Sequence, residues 1–128
     1  QVSLNGDVVR DVDNLVVTAG KGYVADRMKN NSSVMSHMAI GSSATSAAAG
    51  NTALGTELGR VSLTSSAVSS AVVTYIASFA AGTGTGAVTE AGILNASSGG
   101  TMLCRTVFSV VNKGSADSMT ITWTVTVS

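Results

Sequence analysis

The sequence predicts an all-β protein, an antiparallel sandwich or barrel with one short helix near the N-terminus. Several segments alternate apolar and polar residues with a period of two, which places successive side chains on opposite faces of a strand. Stretches rich in glycine, asparagine and serine separate these segments at 81–86, 95–100 and 112–117. The composition, rich in threonine and valine and without proline, suits strands that have one solvated face.

In chain order, the first predicted elements are a strand within 2–9 and a helix over 19–30. The helix prediction rests on an apolar stripe that includes Tyr23 and Met28, and on basic residues in the last turn. Shorter strands are predicted at 34–41 and 60–64. The run between those strands has small side chains and no periodicity, so it predicts an extended loop over 41–59, and long loops often contact partners.

The C-terminal half contains the clearest strand patterns. The segment 71–79 is partly apolar on both faces, which predicts a central strand, and further strands are predicted at 87–94 and 101–111. In the last of these, Val110 falls on the apolar face.

The final predicted strand, 118–127, alternates without a break, with threonines on one face and apolar residues on the other. The apolar faces of these strands predict the core. The predicted core residues are Tyr75, Phe79, Cys104, Phe108, Ile121, Trp123 and Val125.

The length of 128 residues predicts one domain over 1–128, with an N-terminal arm and helix in 1–33 and the sandwich in 34–128. Seven basic and seven acidic residues give no net charge, and only 11% of the chain is charged. The basic residues are scattered, so nucleic-acid binding is not expected. Low charge favours association, which predicts assembly with other protein subunits. Neither a membrane span nor a secretory signal is expected.

Glycine-rich segments raise the question of a phosphate-binding loop. The segment 14–22 runs an apolar strand into glycines and a lysine before the helix, but Leu15 and Gly22 stand where the motif needs a glycine and a hydroxyl residue. A turn leading into a helix is the favoured interpretation. The glycines within 82–86 lie between two strands and predict a hairpin loop.

A calcium site is the next alternative, because Asp7, Asp11, Asp13 and Asn14 could supply oxygen ligands. The glycine and distal glutamate of the helix–loop–helix calcium motif are absent, so a solvated acidic loop is the favoured interpretation.

Catalytic chemistry has little support in the sequence. His37 is the sole histidine and has no metal-ligand partners nearby. Cys104 is the single cysteine and lies among apolar residues in a strand, which predicts a buried thiol that packs as a small hydrophobe. No G-x-S-x-G elbow occurs. The sequence therefore predicts no enzyme, no metal and no cofactor.

From His37 to its end, the sequence resembles small structural proteins of tailed bacteriophage virions, which are described as capsid cement (decoration) proteins or as tail-fibre-like proteins. The stretches "ALGTEL", "EAGIL" and "ITWTVTV" carry most of the resemblance, and "NLVVTAGKGYVADRM" resembles the N-terminal segment of that family. The resemblance implies a jelly-roll-like β-sandwich without enzymatic activity.

For this chain the resemblance implies a cement protein on the outer capsid surface that bridges major capsid subunits and contacts sister copies as a dimer or trimer. The alternative is a tail-fibre or tail-tip module in the virion tail, which would bind other tail proteins or a host receptor glycan. A carbohydrate-binding sandwich is a further alternative, for which Tyr23, Tyr75 and Trp123 are the aromatic residues that could stack on a sugar.

We expect contacts to the shell or to sister copies in two segments. The loop 41–59 could approach another surface closely because its residues are small. The acidic stretch near the N-terminus could pair with basic residues of a neighbour. The predicted interface residues are Asp7, Arg10, Asp11, Asp13, Ser42, Ser43, Thr45, Ser46 and Asn51.

Overall fold

A computed structural model describes residues 1–127, in which ten strands form two antiparallel sheets beside one helix. Residue 128, the last of the predicted domain, lies outside the described residues. In chain order the elements are β1 (Val2–Leu4), β2 (Asp7–Arg10), β3 (Leu15–Val16), α1 (Thr18–Lys29), β4 (His37–Gly41), β5 (Glu57–Ser62), β6 (Ser65–Ser69), β7 (Val72–Phe79), β8 (Gly86–Leu94), β9 (Met102–Lys113) and β10 (Met119–Thr126).

Each sheet has five strands. Sheet A has the order β2-β1-β10-β7-β6, and sheet B has the order β3-β9-β8-β4-β5. The prediction of a mostly β, antiparallel protein with one helix is therefore confirmed.

The main core lies between the two sheets. It is built from the inward faces of β4, β7, β8, β9 and β10, which alternate with outward residues as the period-two pattern requires. Of the predicted core residues, Tyr75 and Val125 are half-buried at its margin, and the others are buried. A second, smaller cluster lies on the opposite face of sheet B, where the start of α1 and the loop 42–56 cover that sheet.

The N-terminal residues form part of sheet A. The strand predicted within 2–9 is a hairpin, because Asn5 and Gly6 adopt positive φ angles of 49° and 90° and turn β1 into β2. Asn-Gly is a favoured pair for such two-residue turns. Val2 of β1 lies opposite Ile121 of β10, so the first strand holds the C-terminal strand in place.

Helix α1 begins one residue before its predicted start and packs against β9. A Cβ atom at Gly20 would overlap the backbone carbonyl of Leu103, so glycine is what permits this close approach. The glycine that suggested a phosphate loop therefore serves helix–strand packing.

A register shift in the β8–β9 pairing changes the face of one predicted core residue. Val88 lies opposite Val111 and Glu90 lies opposite Val107, so β9 has two more residues than β8 over this interval. Phe108 and Val111 are both buried, whereas Val110 is 46% exposed. The prediction that Val110 shares the apolar face is wrong, because the bulge interrupts the alternation.

The strand bounds otherwise follow the sequence pattern closely for β7, β8, β9 and β10. Strand β5 begins three residues before the predicted 60–64 segment, and β4 is confined to the second half of 34–41. Strand β3 lies within the apolar strand at the start of 14–22, whereas β6 was not among the predicted strands. Strand β6 has small polar side chains and all five of its residues are exposed, so no apolar face marked it.

Candidate docking surface

A buried ion pair holds the loop 42–56 against sheet B. Glu90 of β8 and Arg105 of β9 are 0% and 2% exposed, and Arg105 Nε donates to Glu90 Oε1 at 3.0 Å. The same carboxylate accepts backbone N–H bonds from Ser43, Gly55 and Thr56 at 2.8–2.9 Å. Both ends of the loop are therefore hydrogen-bonded to one carboxylate.

The arginine side chain holds the middle of the same loop. Arg105 Nη1 donates to Asn51 Oδ1 at 3.1 Å, and Nη2 donates to the carbonyl oxygen of Thr45 at 2.9 Å. Asn51 Oδ1 also accepts the backbone N–H of Ala48. A buried charge pair is tolerated when its remaining donors and acceptors are used, and the loop supplies those partners here.

Burial alone raises the pKa of the Glu90 carboxyl, since it removes water from the charged form. The backbone N–H groups of Thr56, Gly55 and Ser43, together with Arg105, outweigh burial and bring the pKa below its ordinary value. Glu90 is therefore a carboxylate at neutral pH.

These contacts change the interpretation of the predicted interface loop. The buried pair is contacted by the backbone of Ser43 and Thr45 and by the side chain of Asn51. Ser42 is half-buried. Of the predicted loop residues, only Thr45 and Ser46 have exposed side chains. The loop therefore has a role inside its own domain, which its small and aperiodic sequence did not indicate. The buried pair was not predicted from the sequence, although a charged residue inside each of two apolar strands is a usable signal in a chain so poor in charge.

The predicted N-terminal interface residues fall into two groups. The guanidinium of Arg10 donates to the carbonyl oxygens of Val9, Ser109 and Val110 at 2.6–3.0 Å, so it holds the bulged part of β9 within its own chain. The residues whose side chains stay exposed on this side are Asp7, Asp11 and Asp13.

The segment 11–14 closes one open side between the sheets. Asn14 Nδ2 donates to the carbonyl oxygen of Thr124 in sheet A, and Thr106 Oγ1 of sheet B donates to the carbonyl oxygen of Asp13. A cavity of about 460 Å³ lies beside this segment and reaches Trp123, whose indole nitrogen has no hydrogen-bond acceptor among residues 1–127. Within residues 1–127, no three His, Cys, Asp or Glu side chains are grouped so that they could hold a metal ion.

The other two candidate residues from the sequence, His37 and Cys104, lie in surroundings that explain them without a catalytic role. His37 Nδ1 lies 2.7 Å from Ser36 Oγ, and its Nε2 lies 3.4 Å from Ser62 Oγ. Cys104 is buried in the core, and burial raises the pKa of its thiol far more than the neighbouring Trp123 lowers it. A thiol held in its neutral form is a poor nucleophile.

An apolar groove lies between α1 and β6, and we call it the α1–β6 groove. It measures about 460 Å³. Val68 and Val34 on its rim are 73% and 56% exposed. Burial raises the pKa of Tyr75 to about 12, with smaller contributions from Cys104 and Tyr23. The groove is lined by Tyr23, Arg27, Val34, Met35, Ser66, Ala67, Val68, Val73 and Tyr75.

The β6 edge borders this groove and differs from the other three sheet edges. Strands β2 and β5 each contain an acidic and a basic residue and a register shift, and β3 has only two residues. Charge, irregularity and shortness are the features by which proteins block edge-to-edge pairing. Strand β6 has the sequence Ser-Ser-Ala-Val-Ser, without charge, and all of it is exposed.

Comparison with protein-family models, with curated proteins and with solved structures finds no match to this chain. Helix α1, the one helix among residues 1–127, has 12 residues and does not meet the length and hydrophobicity that a bilayer-spanning helix requires. The candidate surface consists of the α1–β6 groove and the adjoining β6 edge, because both are exposed and the edge has free backbone positions for another macromolecule.

Proposed function

We propose that this protein is a structural subunit of a virus particle, specifically a cement (decoration) protein on the outer capsid surface that bridges major capsid subunits and contacts sister copies. The observation that supports it best is the continuous surface of the α1–β6 groove and the β6 edge, which is uncharged apart from Arg27 on the helix side of the groove. The resemblance of the sequence to structural proteins of tailed-phage virions supports the same proposal. We include in this proposal that the two sheets are connected as a jelly roll.

Such a subunit binds through small contacts that are repeated many times. Burial of apolar area contributes about 25 cal/mol per Å², so a groove of this size gives only modest affinity at a single site. Repetition over a shell raises the total strength without any new kind of contact. The low content of charged residues, 11% with no net charge, suits a protein that packs beside identical neighbours, since a net charge would make the copies repel one another.

A second candidate is a tail-fibre or tail-tip module in the virion tail that binds other tail proteins or a host receptor glycan. Tyr23 and Tyr75 line the same groove, and Arg27 lies beside them. Aromatic faces with a nearby hydrogen-bond donor are a combination that can hold a sugar ring. Tyr75 is half-buried, which leaves less of its face for stacking.

The test begins with virus particles that contain this protein. Quantitative mass analysis of purified particles should give a copy number comparable with that of the major capsid protein, and the density should lie on the head. A few copies located on the tail would overturn the cement proposal in favour of the tail module.

A rebinding assay tests the surface itself. Val68→Asp places a charge on the groove rim and should greatly reduce rebinding to particles stripped of the protein, whereas the matched change Val8→Asp on the opposite edge of sheet A should not. Equal occupancy of both variants would show that the groove is not the contact. Glycan binding that is lost in Tyr23→Ala would support the tail module.

A further inference from the structure

The register of sheet A determines which backbone groups of β6 are free. The backbone N–H of Val127 donates to the carbonyl oxygen of Ala71 at 2.9 Å, and this bond continues the β10–β7 register. Backbone groups along a strand point alternately to its two neighbours. The odd-numbered residues of β7 therefore bond to β10, and the even-numbered residues bond to β6.

The even residues of β7 lie opposite Ser65, Ala67 and Ser69. These three residues of β6 use their N–H and C=O groups toward β7, so Ser66 and Val68 direct theirs to the open side. Within residues 1–127, no backbone group outside β7 bonds to either of them. The edge thus presents two donors and two acceptors at alternate positions, which is the pattern that an added antiparallel strand satisfies.

The side chains on this edge favour an identical strand over a charged one. No charged residue occurs between Arg60 and Glu90, so neither β6 nor β7 offers a counter-charge to a basic or acidic partner. Two copies of β6 bring no like charges together, and their small side chains allow close approach. Each of the other three edges contains a feature that opposes self-pairing.

We propose that β6 pairs with β6 of a second copy of this chain, antiparallel, about a two-fold axis at Ala67. In that register Ser66 lies opposite Val68 of the second copy, and the two symmetric pairs exchange four backbone hydrogen bonds. The pairing joins two five-stranded sheets into one of ten strands. Isologous two-fold contacts of this kind are the commonest in homo-oligomers.

The same register gives the pair an apolar component. Tyr75 lies opposite Ser66, and Val73 lies opposite Val68, on the groove side of sheet A. Val68 of the second copy therefore lies beside Ser66, in the same cross-strand row as Tyr75. In the isolated chain the position that this valine would occupy is open to water. The exposed valine of each copy extends the apolar row of the other.

The β6–β6 pairing would provide the sister-copy contact of the proposed function, and its biological role rests on that proposal. Its test, however, needs only the isolated chain. Ala67→Cys places two thiols directly opposite each other in a non-hydrogen-bonded pair, where Cα atoms lie about 4.5 Å apart, within disulfide range. Under mild oxidation most of the protein should become a disulfide-linked dimer. In the control Ser65→Cys the thiols lie about 13 Å apart and should not cross-link.

A second measurement needs no new disulfide. Sedimentation equilibrium should show a concentration-dependent dimer, and Val68→Lys should weaken its association roughly tenfold or more, the factor expected when edge hydrogen bonds and apolar contacts are lost. The matched variant Val8→Lys on β2 should associate like the unmodified chain. Equal cross-linking at positions 65 and 67, or a strictly monomeric chain that does not cross-link, would overturn the pairing while leaving particle binding open to its own test.

Discussion

Arg105 Nε lies 3.0 Å from Glu90 Oε1, and both side chains are buried. The pair connects β8 to β9 beneath the loop 42–56, and three backbone N–H groups of that loop complete the coordination of the carboxylate. The loop supplies hydrogen-bond partners that the buried pair needs, and the pair supplies acceptors and donors that the loop needs, so each stabilises the other.

The first prediction concerns removal of the carboxylate. Glu90→Ala leaves Arg105 buried without its counter-charge and should lower the free energy of unfolding by about 3–5 kcal/mol. The control is Glu57→Ala, which removes the more exposed partner of Arg60; because Arg60 keeps its hydrogen bonds to the carbonyl oxygens of Ala96 and Gly99, the loss should be clearly smaller. Urea denaturation of both variants measures the difference. Similar losses in the two variants would contradict a special role for the buried pair.

The loop gives a second readout of the same pair. In Glu90→Ala the backbone N–H groups of Ser43, Gly55 and Thr56 lose their acceptor, so hydrogen exchange in residues 42–56 should accelerate. In strands β7 and β10, hydrogen exchange should accelerate only as much as the lower global stability of the variant requires. Unchanged exchange in the loop would mean that the rest of its contacts are sufficient to order it.

The second prediction is that acid destabilises the protein through Glu90. Burial raises the pKa of this carboxyl, but its hydrogen bonds outweigh burial and keep the pKa in the folded state below the unfolded value of about 4.3. The resulting stabilisation is complete above the unfolded pKa and is lost as the pH falls through the folded pKa. Denaturation midpoints at pH 7 and pH 3 should therefore differ less in Glu90→Gln than in the unmodified chain. If both proteins lost the same stability between pH 7 and pH 3, the acid sensitivity would come from other carboxylates.

The sequence predicted the strands that have an apolar face and missed those that do not. Strands β7 and β10 were predicted to within two residues at each end because alternation is visible in a single segment. Strand β6 is recognisable only through its partner, since no side chain in it is buried. The β1–β2 turn could have been predicted, because Asn5-Gly6 is a favoured hairpin pair.

The site was harder to predict than the fold. The pairing of Glu90 with Arg105 depends on the β8–β9 register, which a bulge shifts and which no local pattern specifies. Arg10 was predicted to contact a neighbouring subunit, yet its guanidinium donates to backbone carbonyl oxygens of its own chain. Residue type indicates what a side chain can bind, whereas the topology decides which groups come within reach.

The third prediction concerns the large aromatic residue of the core. Trp123 is 3% exposed and lies between the sheets, so Trp123→Ala should cost about 3–5 kcal/mol of stability. Thr124→Ala changes the next residue, which is exposed on the other face of β10, and should cost within about 0.5 kcal/mol. Comparable losses in thermal or urea denaturation would mean that the outer face of sheet A is covered.

The fourth prediction is that the thiol of Cys104 is unreactive in the folded protein. Burial raises its pKa, so almost no thiolate is present at neutral pH, and reagent access requires opening of the core. Labelling by a thiol reagent should be slow in native buffer and fast in denaturant. Ser98→Cys, in an exposed turn, provides a control that should label rapidly in both. Fast native labelling of the unmodified chain would show that the core opens readily.

The last prediction uses two glycines of α1 that differ only in what they face. A Cβ atom at Gly20 would overlap the carbonyl of Leu103 in β9, whereas at Gly22 it would meet no atom of residues 1–127 within 4 Å. Alanine is favoured over glycine inside a helix by about 0.5–1 kcal/mol. Gly22→Ala should therefore stabilise the protein by that amount.

Gly20→Ala gains the same helix propensity but must push α1 away from β9, as in overpacked cores, where the cost is about 1–3 kcal/mol. The expected result is thus opposite in sign for two identical substitutions two residues apart, and urea denaturation measures both. If both variants were stabilised, α1 would not need its close contact with β9. The glycines of this segment would then have to be explained by something other than packing.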